Sequence, residues 1–585
     1  MLIIEYFCAC IAQVIATIGF CKLLTYPLSK FEYFDKTKFK VHILFLLSII
    51  FESTLLAFLS IHLSIPILFL KSFFLLKLTF GFIFLLEYRS DIIKTVIKHK
   101  LLVLSFIFLL INASVPTSSY DCFTAHFQVA KLFLSAEAYP IRPDFQYLDA
   151  LPLGIHMLFL TPLSFGLEGA LNIIPAIFTI VLFHLLGKGY GKNIGGLSCL
   201  LFISMPEFIR VSMDPMVDTP SIYFATLGFI MLTRANINKL YYNFLIAALS
   251  WSFLMAIKPT MVCFPILFIL LCFFTLVKKR ITLINAFTII ISMFPGGIWI
   301  YKAWLIHGNP LFPYFYSSNF APLISVELSQ NTVSISMMFL NYLQTIFVDS
   351  RFFLSLGPWP LILIPAFLFR KKYSLKVLFA ILIVISGLLL TFKFTSFKNR
   401  YFLPYLCISI PWFAYTLNQS NRIIKFIFYF WCAFNISMFL PYLSQPALAA
   451  LKGMDKDAYY ESKFDNYKII NSANKLAEGK ILFVATPIYW LNKEHVLSIY
   501  SETYLDYTRL NSEGLLKKIE ELKITYILFD KASLTGMINH PSKHYHKNAY
   551  IAQKCLDLIN HIIHSSGSFD IIEESNGIVI AKKMK

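Results

Sequence analysis

The sequence predicts a polytopic all-α membrane bundle of about 14 spans, followed by a C-terminal α/β domain outside the cytoplasm. Three observations carry this. The 585-residue chain is 57% hydrophobic and only 14% charged, with a mean hydropathy of +0.68, and a soluble protein of this size needs more polar surface. Apolar runs near the roughly 20 residues needed to cross a bilayer recur along most of the chain. After residue 445 the pattern changes to short strands alternating with amphipathic helices.

The spans are expected near 2–22, 42–62, 66–86, 100–115, 169–187, 193–209, 219–233, 241–257, 259–277, 281–300, 355–369, 375–392, 401–417 and 423–443. The apolar start at Leu2 has no basic leader and reads as a retained span. Most of the 10 cysteines, Cys199 and Cys263 among them, sit inside these runs as small hydrophobes, and no pair has zinc-ligand spacing.

The net charge of +19 would suggest nucleic acid in a soluble protein. Here the basic residues lie in alternate short loops, so topology explains them and no nucleic-acid partner is expected. Lys30 to Lys40, Arg89 to Lys98, Lys188 and Lys192, Arg234 and Lys239, Lys278 to Arg280, Arg370 to Lys372, and Arg422 with Lys425 mark the cytoplasmic loops. The alternation requires that 152–166, which contains Pro152 and Pro162, lie on the membrane surface without crossing. Both termini and the segments 116–168, 301–354 and 444 onward then face outward. The last of these contains expected strands at Lys480–Thr486 and Ile524–Asp530, helices at Leu515–Leu522 and Ala549–His564, and a closing strand pair around Phe569–Ile572 and Gly577–Ala581.

Candidate chemistry gathers on the outer side. Asp121 and His126 follow a span, where a carboxylate can act as a general base or hold a metal; the plainer reading is a helix-capping Asp. Asp214 and Asp218 precede the span at 219, where Asp218 reads equally as its cap, with Thr219-Pro220 as the first turn. Lys258, Lys302, Lys393, Lys398 and Arg400 break the charge rule at outer span ends. They suit a phosphate headgroup or simply snorkel, and the fork of Arg400 favours phosphate. Gly308-Asn309-Pro310 reads as a turn, and Gly187–Lys192 as a cytoplasmic turn without the setting of a nucleotide loop. Glu52, Lys71 and Lys77 fall inside spans, where a Glu–Lys pair between neighbouring helices is the plain account.

In their order and shared sidedness these features resemble the GT-C superfamily of membrane glycosyltransferases, which includes protein O-mannosyltransferases and aminoarabinose transferases. They are most similar to its bacterial lipid-phosphosugar-dependent members. In those proteins the first outer loop carries Asp, then Tyr-His four and five residues later, then an Ala-Lys helix. Asp121, Ala125-His126 and Ala130-Lys131 match, with Ala in place of Tyr. Pro152-Leu153-Gly154-Ile155-His156, the acidic pair Asp214 and Asp218, Gly308-Asn309-Pro310, Arg400-Tyr401-Phe402-Leu403-Pro404 and Ile524–Leu528 continue the likeness. It covers roughly 100–585: a core at 100–445 with the outer loop 116–168, and a domain at 446–585. Residues 1–99 form an added set of three spans.

The resemblance implies transfer of a sugar from a polyprenyl phosphate to a glycan, lipid or protein acceptor outside the cytoplasm, in the bacterial inner membrane, typically with inversion. Asp121 would deprotonate the acceptor and His126 would orient it. Asp218, or failing it Asp214, would complete the acidic site. Arg400, with Lys302, Lys258 and Lys131, would hold the phosphate. The resemblance leaves room for a divalent metal between Asp121 and Asp218, and for no other cofactor. The competing readings are an O-antigen polymerase or ligase, against which residues 450–585 argue, and a transporter or assembly protein without transferase activity.

Overall fold

A computed structural model describes residues 2–28, 37, 39–90, 100–117, 122, 126–136, 153–233, 240–278, 281–307, 310, 379–387, 399–451, 455–464, 467–476, 478–484, 495–497, 510–539, 546–575 and 577–584. The first apolar runs form α1 (Leu2–Leu28), α2 (Lys40–His62) and α3 (Ile67–Glu87). Helices α1 and α3 pack backbone to backbone because Gly19 and Gly81 lie at their crossing. A Cβ on Gly19 would fall on the Lys77 carbonyl, and one on Gly81 on that of Ile15. Small residues permit such approaches in apolar surroundings, where dispersion holds helices together.

Next come α4 (Lys100–Ala113), α5 (Phe127–Ala136), α6 (Met157–Leu163) and α7 (Gly169–Tyr190). Asn172 on α7 donates from Nδ2 to the carbonyls of Ala113 (3.2 Å) and Val115 (2.8 Å), covering acceptors that the end of α4 leaves open. Every residue from Leu153 to Leu163 is buried. Helix α6 packs against α5, α2 and α3, so the surface-lying helix expected at 152–166 is instead inserted among its neighbours. Its seven residues are too short to cross, and its one polar residue inside the bundle, Thr161, has partners there.

Helix α7 continues through Gly187–Tyr190, where a turn was expected, and the chain reverses at Gly191, whose φ of +84° suits glycine. Then follow α8 (Lys192–Ile203) and α9 (Pro206–Met213), bent by 84° at Pro206, so the run expected as one span at 193–209 is broken. After these come α10 (Asp218–Thr233), α11 (Leu240–Ile257), a 3₁₀ turn (Pro259–Val262), α12 (Cys263–Val277), α13 (Leu283–Ile291) and α14 (Phe294–His307). Helices α15 (Asn399–Leu406), α16 (Ile410–Gln419) and α17 (Arg422–Leu451) complete the bundle. Helix α17 runs past residue 446, so the boundary expected there falls inside a helix.

Among the described residues, five helices are long and apolar enough to cross a membrane, or up to seven if each of two bent pairs is one span. Shorter apolar helices accompany them. The span expected at 355–369, half of that at 375–392, and the candidates Lys393 and Lys398 lie outside the described residues.

Helices α18 (Lys456–Lys463) and α19 (Tyr467–Asn474) lead to β1 (Lys480–Val484) and β2 (His495–Leu497). Then come α20 (Ser512–Glu521), β3 (Ile524–Asp530), α21 (Lys531–Asn539), α22 (His546–His564), β4 (Phe569–Ser575) and β5 (Ile578–Lys583). The strand order is β2-β1-β3-β5-β4, with β5 antiparallel to both β3 and β4. Alternate residues separate the two faces of the sheet. Ile481, Tyr526, Leu528 and Ile580 join the core that includes α18, α19 and the bundle. Leu482, Ile527, Phe529 and Val579 pack with Leu515, Ile519, Cys555 and Ile559 of α20 and α22.

Polar contacts also tie this part to the bundle. Tyr459 donates to the Pro116 carbonyl at 3.0 Å, Lys456 pairs with Glu168 at 2.8 Å, and the Tyr6 and Tyr460 hydroxyls bond at 3.1 Å.

Candidate functional site

One end of the bundle gathers the starts of α7, α10 and α15 with the ends of α4, α11 and α14, and most of the expected site residues lie there. Lys258 precedes Pro259, which disfavours helical backbone in the residue before it. Its φ of −145° and ψ of 128° end α11 in an extended conformation. The Lys258 ammonium forms an ion pair with the Asp218 carboxylate. Asp218 is 1% exposed and Lys258 9%. Asp218 therefore stands inside the first turn of α10 as the partner of an ammonium, and the capping alternative does not hold. The positive end of the α10 dipole also favours its charge.

Asp214 accepts a hydrogen bond from Thr117 Oγ1 at 3.1 Å and faces Arg210 Nη1 at 3.7 Å. Arg210 on α9 is also held by both carboxylate oxygens of Glu207, from Nη2 at 2.6 Å and Nε at 3.1 Å. Met216, between the two aspartates, receives Arg400 Nη1 at 3.5 Å and Arg210 Nη1 at 3.9 Å on its sulfur. Arg400 is buried on α15, which packs on α9 and α10. Two guanidiniums and two aspartates thus border the turn between α9 and α10, from Asp214 to Asp218. Glu207 and Asp214 offset Arg210 directly.

His126 Nδ1 and His156 Nε2 lie 2.6 Å apart, with the rings stacked at 4.9 Å and 15°. Burial, with help from His126 and Lys302, holds His156 well below the usual histidine range. Lys302 is 1% exposed, with its ammonium 4.9 Å over the Trp299 ring. The segment carrying His156 is tied to α11, since Gly154 N–H donates to the Ala256 carbonyl at 2.6 Å. A Cβ on Gly154 would strike that carbonyl. The histidine pair and the Asp218–Lys258 pair are therefore both anchored to the same helix end.

Asp121 lies outside the described residues, between Thr117 and Cys122, which are both buried. Lys131 sits elsewhere. Its electrostatic neighbours are Glu168 and Lys456, and burial lowers it to about 8. The structure thus associates Lys131 with the seam to α18, apart from the phosphate-binding group in which it was expected. Of the turn Gly308-Asn309-Pro310, only Pro310 is described.

Of the two residues expected to hold a metal, Asp121 lies outside the described residues and Asp218 is engaged by Lys258. An ammonium already neutralises Asp218. Among the described residues no three His, Cys, Asp or Glu side chains converge as a metal site. Sequence reasoning did not single out His156, Arg210 or Thr117 as site residues. The signals available were a histidine inside Pro152–His156 and an arginine at the end of the apolar run 193–209.

A family described as a domain of unknown function (DUF8201) matches residues 159–322. No curated protein sequence matches the chain. Among solved structures, the chain is similar to ArnT from Cupriavidus metallidurans bound to undecaprenyl phosphate. The identity is 11%, over 83% of this chain and 97% of that one, with a TM-score of 0.51. It is also similar to the Archaeoglobus fulgidus oligosaccharyltransferase AglB in complex with an inhibitory peptide and a dolichol phosphate, at 12% identity, over 84% and 75%, with a TM-score of 0.40. The chain is an integral membrane protein that shares the fold of ArnT.

Proposed function

We propose that the chain is a glycosyltransferase that takes a sugar from a polyprenyl phosphate and passes it to an acceptor outside the cytoplasm. The observation that carries this reading is the convergence of a buried Asp218–Lys258 pair with the buried cations Arg400 and Lys302 at one bundle end. Its support is a fold shared with a protein solved with undecaprenyl phosphate.

In this reading Asp121 takes the proton of the acceptor hydroxyl as its oxygen bonds to the anomeric carbon. The bond from that carbon to the phosphate oxygen breaks, and its electron pair leaves on the phosphate. Arg400, Lys302 and Lys258 stabilise the growing negative charge in a site of low dielectric. Asp218 fixes the position of Lys258, and His126 orients the acceptor. No step is assigned to a metal.

The test is envelope-glycan mass spectrometry on a deletion strain rescued with wild type or Asp121→Asn. Loss of one sugar, restored by wild type and not by the mutant, is the expected result. An unchanged glycan profile in the deletion would favour transport or assembly.

The same reading places α18, α19 and the sheet outside the cytoplasm. Ile470 is buried but Lys468 is exposed. A Lys468→Cys protein in a Cys8→Ser background should therefore react with impermeant maleimide in intact spheroplasts. Labelling only after lysis would invert the orientation.

A further inference from the structure

We infer that His156, with His126 and Lys302, forms a binding site for a phosphate monoester, in which His156 donates from Nδ1 to a phosphate oxygen. The identity of the lipid carrying that phosphate rests on the transferase reading; the site itself rests on geometry. His156 is 6% exposed, and its Nε2 is engaged by His126 at 2.6 Å. Its Nδ1 is buried and has no hydrogen-bond partner among the described residues. A buried polar nitrogen left without a partner is costly, and native structures rarely keep one without use.

The surroundings select the charge of the missing partner. Lys302 is buried and close enough to act electrostatically on His156. His126 stacks against the same ring, with the centroids 4.9 Å apart. A cation in that position would be repelled. An oxyanion gains the Lys302 charge and a hydrogen bond from the imidazole, and hydrogen bonds to ionised groups are the strong ones. Burial keeps His156 neutral, so with its proton on Nδ1 its Nε2 accepts from His126 Nδ1. The site adjoins the Lys258 end of α11 through the Gly154–Ala256 bond. A phosphate held by His156 would lie on the side of the lysine that stabilises a departing phosphate.

Two amide substitutions separate the roles of the two ring nitrogens. Asn places an amide near the position of Nδ1, and Gln places one near Nε2. Binding of farnesyl phosphate to the full chain in nanodiscs, with inorganic phosphate as competitor, reads the site without any transfer. His156→Gln should weaken binding by about ten-fold or more, the loss of one charge-assisted hydrogen bond. His156→Asn should stay within about three-fold of wild type, and Lys302→Gln should weaken binding as His156→Gln does.

Competition by inorganic phosphate at matching concentration supports the site and assigns it to free phosphate. Weak competition supports it as a lipid-headgroup site. Unchanged affinity in a folded His156→Gln protein overturns the inference. So does the reverse order, with Gln tolerated and Asn not, because His156 would then only brace His126. A chain that binds in this His156-dependent way yet moves no sugar keeps the site and loses the transferase reading.

Discussion

Asp218→Asn and Lys258→Met are each expected to abolish sugar transfer and to destabilise the protein by about 3–5 kcal/mol, the cost of leaving one partner of a buried ion pair uncompensated. The two effects have different origins, and a double variant separates them. Asp218→Leu combined with Lys258→Met removes both charges at once, and replacement of a buried pair by apolar groups is often neutral in stability. Its thermal midpoint should therefore return close to wild type, while transfer remains depressed by about 10²–10³-fold, the usual loss when one preorganised electrostatic group is removed. A double variant that recovers both stability and transfer would show the pair to be only a fastening between α10 and α11. Stability would be followed by thermal unfolding in detergent, and transfer by the sugar regained in the deletion strain.

How far the site could be read from sequence depends on which interactions are local. Hydrophobic run length and loop charge are local, so the helices and the gathering of Asp218, Lys258, Lys302 and Arg400 at helix ends on one side could be expected from spacing and sidedness. The strand at Ile524–Asp530 likewise announced itself by its apolar, β-branched composition. Pairings are not local. Asp218 and Lys258 lie 40 residues apart, and nothing in either neighbourhood says that a capping carboxylate will instead meet an ammonium. Pro259 fixes the backbone of Lys258 but not the direction its side chain takes. His156 was hidden for the same reason, because one histidine in an apolar stretch acquires meaning only beside His126, 30 residues earlier. The burial of α6 also depends on partners in other helices. Its apolar sequence suits either a lipid surface or the inside of a bundle, and only the polar groups meeting Thr161 decide between them.

Those polar groups lead to the second large effect. Lys77 donates to Glu52 at 2.5 Å and to Thr161 at 3.1 Å, and Thr161 Oγ1 lies 3.4 Å from the same carboxylate oxygen. Glu52 and Lys77 are 5% and 2% exposed. Charges at this depth are tolerated because each satisfies the other, and the Glu–Lys pairing expected between neighbouring helices is the one found. Lys71 instead lies over the Phe165 ring at 5.6 Å. Lys77→Met alone strands a buried carboxylate and should cost about 3–5 kcal/mol. Glu52→Leu with Lys77→Met should recover most of that loss, since apolar groups then fill the space. Thr161 would still lose both partners, and α6 its polar tie to α2 and α3. Because α6 begins directly after His156, the recovered double variant should bind farnesyl phosphate more weakly than wild type despite a normal thermal midpoint. The charge-swapped pair, Glu52→Lys with Lys77→Glu, offers Thr161 a donor and an acceptor again and should restore binding. Normal binding in the apolar double variant would instead show that α6 is held by packing alone, leaving the three N-terminal helices without influence on the site.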